Sequence, residues 1–90
     1  MSVDLINPIE EQLQGERAAA LGEAGRRLEA ALAELAQGDT EDRLHEAGTA
    51  AWYYMIVRES LGMFDHEHAF SIYEVPSRVI ARVGVVKKQP

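Results

Sequence analysis

The sequence predicts an all-α fold, and three observations support that class. One long segment has helix-start residues at its beginning, a glycine at its end and an apolar stripe between them. A second segment repeats apolar residues at spacings of three and four. A third region is divided by residues that cap or stop helices. We expect a long antiparallel helical hairpin and two short helices, with the hairpins of two chains paired as a homodimer. The predicted helices span residues 8–37, 40–61, 66–73 and 76–83.

The first predicted helix is too long for a compact chain of this size. Asn7 can cap its start, Pro8 suits the first helical position, and Gly38 suits a left-handed stop. Glu10 stands where a capping-box carboxylate belongs. At about 1.5 Å per residue this helix is about 45 Å long, whereas a compact chain of 90 residues is roughly 30 Å across. We therefore expect a second copy of the chain to cover the overhang.

Leucines and small residues mark the faces of this helix. Leu21, Leu28 and Leu35 recur every seven residues, which is coiled-coil spacing. Three glycines interrupt the pattern, and because each costs roughly 1 kcal/mol against alanine, we expect them to let another helix approach closely. The alternative is a kink or a break near residue 15 or 22. The predicted self-association residues are Gly15, Ala18, Leu21, Gly22, Leu28 and Leu35.

The second helix is predicted to begin at Asp39 or Thr40, where the Thr40 side-chain oxygen can cap it, and to stop at Gly62. The short connection from the first helix makes the two antiparallel. Residues 50–57 are apolar or aromatic nearly all round. Such a helix is normally buried on more than one side, so we expect a third helix or another subunit against it.

Two short helices should follow. Asp65 can cap the first, Pro76 separates the two, and Gly84 ends the second. We expect both to fold back onto the open end of the hairpin. Residues 1–6 and 85–90 are expected to fray.

The composition indicates one small domain, residues 1–90, that buries only about 60–65% of its unfolded surface. The absence of cysteine excludes disulfides and thiolate zinc sites and is consistent with the cytoplasm. We find no basic leader and no apolar run of about 18 residues, so we expect a cytoplasmic protein without membrane contact. The formal net charge of −6 repels nucleic acid at long range.

Few residues suggest chemistry. His45, His66 and His68 could bind a metal, but two histidines two residues apart point in different directions on a helix, and we expect a solvated polar turn instead. The sequence has no Gly-rich phosphate loop, no nucleophile motif and no thiol. We therefore expect no enzymatic activity, no catalytic residue, no cofactor and no metal.

Arg58 and Glu59 form an adjacent charged pair directly after the apolar run. Adjacent residues on a helix do not face each other, so each needs its own partner. A guanidinium on the apolar face requires a carboxylate or the carbonyls of a helix end. The two interpretations are an ion-pair or small-anion site, and an arginine whose stem covers apolar surface while its head reaches water.

Residues 69–82 have the outline of a helix-turn-helix, in which Arg78 and Arg82 share a face that could contact nucleic acid. Against this, Glu74 stands where such turns prefer glycine, the second helix is short and the chain is acidic. We therefore do not expect nucleic acid to be the main partner.

Three short segments stand out in the second half: Arg58-Glu59-Ser60-Leu61-Gly62, Tyr73-Glu74-Val75-Pro76 and Arg82-Val83-Gly84. They resemble segments of small, mostly bacterial helical proteins of unknown function that read Arg-Glu-x-x-Gly, then Tyr-x-Val-Pro, then an arginine and a glycine. The resemblance covers residues 50–84 and implies no activity.

These observations predict a non-enzymatic, homo-oligomeric helical interaction module. The first alternative is a nucleic-acid-binding regulator of the helix-turn-helix type, and the second is a small-anion or metal binder. The expected partner is a second copy of the chain, in a dimer, and an unidentified protein is a further candidate.

Overall fold

The computed structural model describes residues 8–85, and all of its regular structure is helical. Four helices follow one another: α1 (Pro8–Leu35), α2 (Glu41–Ser60), α3 (His66–Ile72) and α4 (Ser77–Ile80). The predicted fold class is confirmed, and the helices begin and end within a few residues of the predicted bounds. Asn7, and the fraying predicted for residues 1–6 and 86–90, lie outside the described residues. Within the described range, no helix combines the length and apolarity needed to cross a membrane.

The helix ends follow the predicted local signals. The side chain of Thr40 accepts a hydrogen bond from the Arg43 N–H at 3.1 Å. The side chain of Asp65 accepts one from the His68 N–H at 3.0 Å. Each bond satisfies one backbone donor in the first turn of a helix, where no intrahelical acceptor exists. Gly62 ends α2 with φ 80°, the left-handed conformation that glycine adopts most easily.

The core of the hairpin is built from small side chains and a few large ones. α1 runs uninterrupted through its three glycines, so the break considered near residue 15 or 22 is absent. Leu28 and Leu35 are buried against α2, whose alanines let the two helices approach closely. α3, the turn after it and α4 add Phe70, Val75 and Val79, in that order, to the same core.

α1 extends well past the end of α2. At about 1.5 Å per residue, α1 is about 42 Å long and α2 about 30 Å. Residues 9–19 are exposed wherever burial is described. The Cα radius of gyration is 16.2 Å, against about 12 Å for a compact chain of this length. The predicted mismatch between this helix and the rest of the chain is confirmed, and we refer to residues 9–19 as the exposed half of α1.

The two short helices lie at opposite ends of the hairpin. α3 begins beside the end of α2, as expected, but α4 lies at the closed end, where Arg78 and Arg82 contact Asp39 and Glu41. The prediction that both fold back onto the open end was therefore wrong for α4. The physical reason is the acidic turn between α1 and α2, which attracts both arginines. α4 is the expected third helix against α2, and it leaves Trp52, Tyr53 and Ile56 of α2 exposed.

Candidate functional site

Arg58, in the last turn of α2, is buried and holds the corner between α2 and α3. Its residue exposure is 8%, and its guanidinium donates a hydrogen bond to the main-chain carbonyl of Asp65 at 3.0 Å. The same guanidinium lies 5.8 Å from the ring centroid of Tyr54, within cation–π range. Its Nε is buried without a hydrogen-bond partner among residues 8–85. The guanidinium thus uses the main-chain carbonyl of the N-cap residue of α3, and not a carboxylate or the free carbonyls at the end of a helix.

Glu59 contacts a different residue, as expected for an adjacent position on a helix. Its Oε2 lies 2.9 Å from Nε2 of His66, the first residue of α3. This contact orients the imidazole so that Nε2–H can donate to the carboxylate, which leaves Nδ1 buried without a partner in the described chain. Together, Arg58 and Glu59 fasten the start of α3 to the end of α2.

Tyr73 closes the other end of α3. Its ring packs edge-on against Tyr54, with centroids 5.2 Å apart and planes at 78°. Its hydroxyl lies over the backbone of Gly25 in α1. Burial raises the pKa of the Tyr73 hydroxyl above its ordinary value, and the neighbouring Tyr54 and Glu29 raise it further. This tyrosine therefore joins α1, α2 and α3 at one point.

An open groove that the sequence did not predict lies beside α3. Its floor is apolar, and two carboxylates stand at its edge. Glu74 has φ 53°, a left-handed conformation that is costly for a residue with a side chain. The one signal for this feature was glutamate at a position where a turn prefers glycine. The groove is lined by His66, Glu67, Phe70, Ser71, Glu74, Val75 and Ile80.

Arg78 and Arg82 both contact acidic residues of the same chain, but Arg82 lies past the end of α4, so the two do not share the face of one helix as predicted. Arg78 makes two hydrogen bonds to the carboxylate of Asp39, and Arg82 makes two to Glu41. The hydrogen bonds to the carboxylates raise the pKa of both guanidiniums above the ordinary arginine value. A nucleic-acid phosphate would have to displace these carboxylates, and contact of Arg78 or Arg82 with nucleic acid stays a prediction.

The predicted self-association residues divide between two sides of α1. Leu28 and Leu35 are core residues of the hairpin, with exposures of 0% and 2%, so they cannot meet a partner and are corrected here to intramolecular roles. Gly15 and Ala18 are exposed. Gly15 and Leu28 are thirteen residues apart, which at about 3.6 residues per turn places them on nearly opposite sides. The two remaining members, Leu21 and Gly22, are half-buried.

Comparison with known protein families gives a match over residues 5–90. The chain belongs to DUF6665, a family of unknown function. No curated protein matches the chain significantly, and neither does any solved structure. DUF6665 membership agrees with the predicted resemblance to small proteins of unknown function. A bacterial origin, and the three motif segments as marks of the group, stay predictions.

The described part of this DUF6665 chain contains no cluster of side chains that could bind a metal ion. Among residues 8–85, no three His, Asp or Glu side chains lie close enough to hold a metal ion. His66 contacts Glu59, whereas the backbone N–H of His68 serves the cap made by Asp65. The polar contacts at the corner between α2 and α3 join elements of one chain, and we assign them a structural role.

Proposed function

We propose that the chain is a non-enzymatic, cytoplasmic, homo-oligomeric helical module in which a second copy binds the exposed half of α1. The observation that carries the proposal is the exposure of Ile9 and Leu13, at 70% and 46%, on a helix segment that extends past the end of α2. A segment this short is marginally stable as an isolated helix in water, so packing against an apolar surface would stabilise it. The cytoplasmic assignment rests on the absence of cysteine.

The apolar side of the exposed half continues the stripe that packs inside the hairpin. Leu13 precedes Ala24 by about three helical turns and Ala31 by about five, so all three lie on one line along α1. Ala24 and Ala31 are buried against the rest of the chain, whereas Leu13 lies beyond the reach of α2. We infer that two chains pair through this line, with each exposed half covering the other in an isologous, two-fold arrangement.

The test is the mass of the protein in solution, measured by light scattering over a range of concentrations. We expect a dimer for the unmodified chain and a lower mass for the double variant Ile9→Gln and Leu13→Gln. Ile72→Gln is the matched control, because Ile72 is an equally exposed helical isoleucine, at 65%, on α3. A monomeric unmodified chain, or equal losses of mass in the control and the double variant, would rule out this interface.

The same measurement of mass tests the other side of α1, which carries Gly15 and Ala18. A Cβ at position 15 would meet nothing within 4 Å, so Gly15→Leu leaves the packing within the chain intact. If Gly15 and Ala18 form the contact, as the sequence predicts, this variant lowers the mass while the double variant at Ile9 and Leu13 does not. That result would place the interface on the side of α1 that carries Gly15 and Ala18, and it would still support the proposal that the chain is an oligomer.

A further inference from the structure

The groove beside α3 combines an apolar lining with two carboxylates. Phe70 and Val75 line it and are almost buried, whereas Ile80 stands at its edge with 42% exposure. Glu67 and Glu74 line the same groove and are exposed. The volume of the groove is about 660 Å³, which lies within the range of roughly 300–1,000 Å³ that is typical of binding clefts. The groove can therefore hold several side chains of another molecule.

Both carboxylates are unpaired in the described chain. Acidic residues at the turn between α1 and α2 pair with arginines, as Asp39 does with Arg78. Among residues 8–85, neither the carboxylate of Glu67 nor that of Glu74 has a hydrogen-bond or ion-pair partner. The groove thus carries negative charge that a cationic group can neutralise.

The backbone at Glu74 is strained where this carboxylate is placed. Its φ of 53° is a left-handed conformation that a Cβ makes unfavourable. Glycine would end α3 at this position without strain, yet the position carries a charged side chain. Because strained residues are concentrated at binding sites, this strain agrees with a role for the Glu74 carboxylate in binding.

We propose that this groove binds a basic amphipathic helix of a protein partner. Six helical steps from Glu67 to Tyr73, followed by the turn to Glu74, place the two acidic positions roughly 9–10 Å apart along α3. On a partner helix, two basic residues seven positions apart lie about 10.5 Å apart on one side, and the apolar residues between them face the same way. Such a helix can contact both carboxylates while its apolar residues enter the groove.

The spacing distinguishes a helix from an extended peptide. Residues about 10 Å apart on an extended chain are three positions apart, so their side chains point to opposite sides. An extended chain therefore cannot present two basic side chains to Glu67 and Glu74 at this distance. The formal net charge of −6 also attracts a basic segment and repels an acidic one at long range.

The first test measures binding of a fluorescein-labelled synthetic peptide by fluorescence anisotropy at low salt. The peptide is an alanine-rich helix of about 15 residues with two lysines seven positions apart and two leucines between them. We expect saturable binding to the unmodified chain and a loss of about three- to tenfold in affinity for the double variant Glu67→Gln and Glu74→Gln.

Glu16→Gln with Glu34→Gln is the matched control, because it removes the same charge from two exposed positions of α1. This control should retain the affinity of the unmodified chain, and circular dichroism should show the same helix content in all variants. The absence of saturable binding, or equal losses in the two double variants, would overturn the proposal.

The second test examines the register and the apolar contact. A peptide of the same composition, with its second lysine moved by two positions, has its lysines on different sides and should bind more weakly. Ile80→Gln should weaken binding of the first peptide, while Ile72→Gln, at an exposed isoleucine that does not line the groove, should retain it. Equal binding of the two peptides would mean general charge attraction and would overturn the docked helix.

Light scattering separates this groove from the proposed dimer interface. The variant with Glu67→Gln and Glu74→Gln should keep the mass of the unmodified chain, because the groove and the exposed half of α1 lie on different elements. A lower mass would assign the groove to a second copy of the chain and would overturn the assignment to another protein. The variant with Ile9→Gln and Leu13→Gln should keep full peptide binding, so the two interfaces succeed or fail independently.

Discussion

The hydroxyl of Tyr73 occupies the space that a side chain at position 25 would need. A Cβ added to Gly25 would lie only 2.5 Å from that oxygen, closer than real Cβ contacts allow. The sequence predicts that the glycines of α1 let another helix approach closely. At Gly25 the close approach is real, but the approaching group is the end of α3 in the same chain.

The first prediction follows from this contact. Gly25→Ala should lower the free energy of unfolding by about 1–3 kcal/mol, because overpacking displaces the Tyr73 ring from its contact with Tyr54. Gly15→Ala is the matched control, since an added methyl there meets nothing within 4 Å and alanine favours helix by roughly 1 kcal/mol. Urea titration followed by circular dichroism measures both.

A double variant separates the clash from a general effect on α1. Tyr73→Phe removes the oxygen that the new methyl would meet, so adding it to Gly25→Ala should recover part of the lost stability. If Gly25→Ala is as stable as the unmodified chain, or if Tyr73→Phe recovers nothing, the close approach of these two residues does not explain the glycine.

The second prediction concerns alkaline pH. The pKa of Tyr73 is raised above its ordinary value of 10.0 in the folded chain, mainly by burial, so the unfolded chain loses this proton first. The stabilisation is fully present below pH 10 and is lost as the pH rises through the folded pKa. The urea midpoint should therefore fall as the pH is raised above 10, and it should fall less in Tyr73→Phe.

Tyr53→Phe is the control for this titration, because Tyr53 is an exposed tyrosine of α2 and the variant keeps Tyr73. We expect it to retain the pH dependence of the unmodified chain. An identical decline in Tyr73→Phe would show that another group controls alkaline stability.

The third prediction concerns the end of α3. Glu74 takes the left-handed position of a helix-ending motif. The N–H of Glu74 donates to the Ser71 carbonyl at 3.0 Å, and the N–H of Val75 donates to the Phe70 carbonyl at 2.9 Å. Glycine adopts this conformation without the strain of a Cβ, so Glu74→Gly should raise the free energy of unfolding by about 1 kcal/mol.

Gly62→Ala is the reciprocal variant, because Gly62 has φ 80° at the end of α2 and bears no Cβ. It should lower the free energy of unfolding by roughly 1–2 kcal/mol, because the left-handed backbone conformation is unfavourable for alanine. No atom within 4 Å would clash with the added methyl group, so the backbone conformation is the whole cost. A loss of stability in Glu74→Gly would indicate that the carboxylate itself stabilises the groove beside α3.

Local features of the fold could be predicted from the sequence because their causes lie within a few residues. Thr40 and Asp65 cap helices through bonds to residues three positions away, and Gly62 ends a helix through its own backbone. The requirement that Arg58 and Glu59 have separate partners was equally local, since it follows from the direction of adjacent side chains on a helix.

Relationships between distant residues could not be predicted in this way. A leucine at coiled-coil spacing, such as Leu28, satisfies the same pattern whether it meets its own chain or another. Arg78 and Asp39 are 39 positions apart, and no periodicity in the sequence indicates that they are in contact. The contact of Tyr73 with Gly25 depends on the position of α3, and the turns before and after α3 determine that position.

The attachment of α4 leads us to expect that this segment opens before the rest of the fold. A helix of four residues does not hold itself together, and α4 is anchored by the buried Val79 and by two ion pairs that stand at the surface. Surface ion pairs weaken as salt screens them, whereas the apolar hairpin does not depend on them. Amide protons of residues 77–83 should therefore exchange with solvent sooner than those of the hairpin, and the gap should widen with ionic strength. On this expectation, salt concentration controls how often the α2 surface around Gly48, which Arg82 covers, becomes accessible.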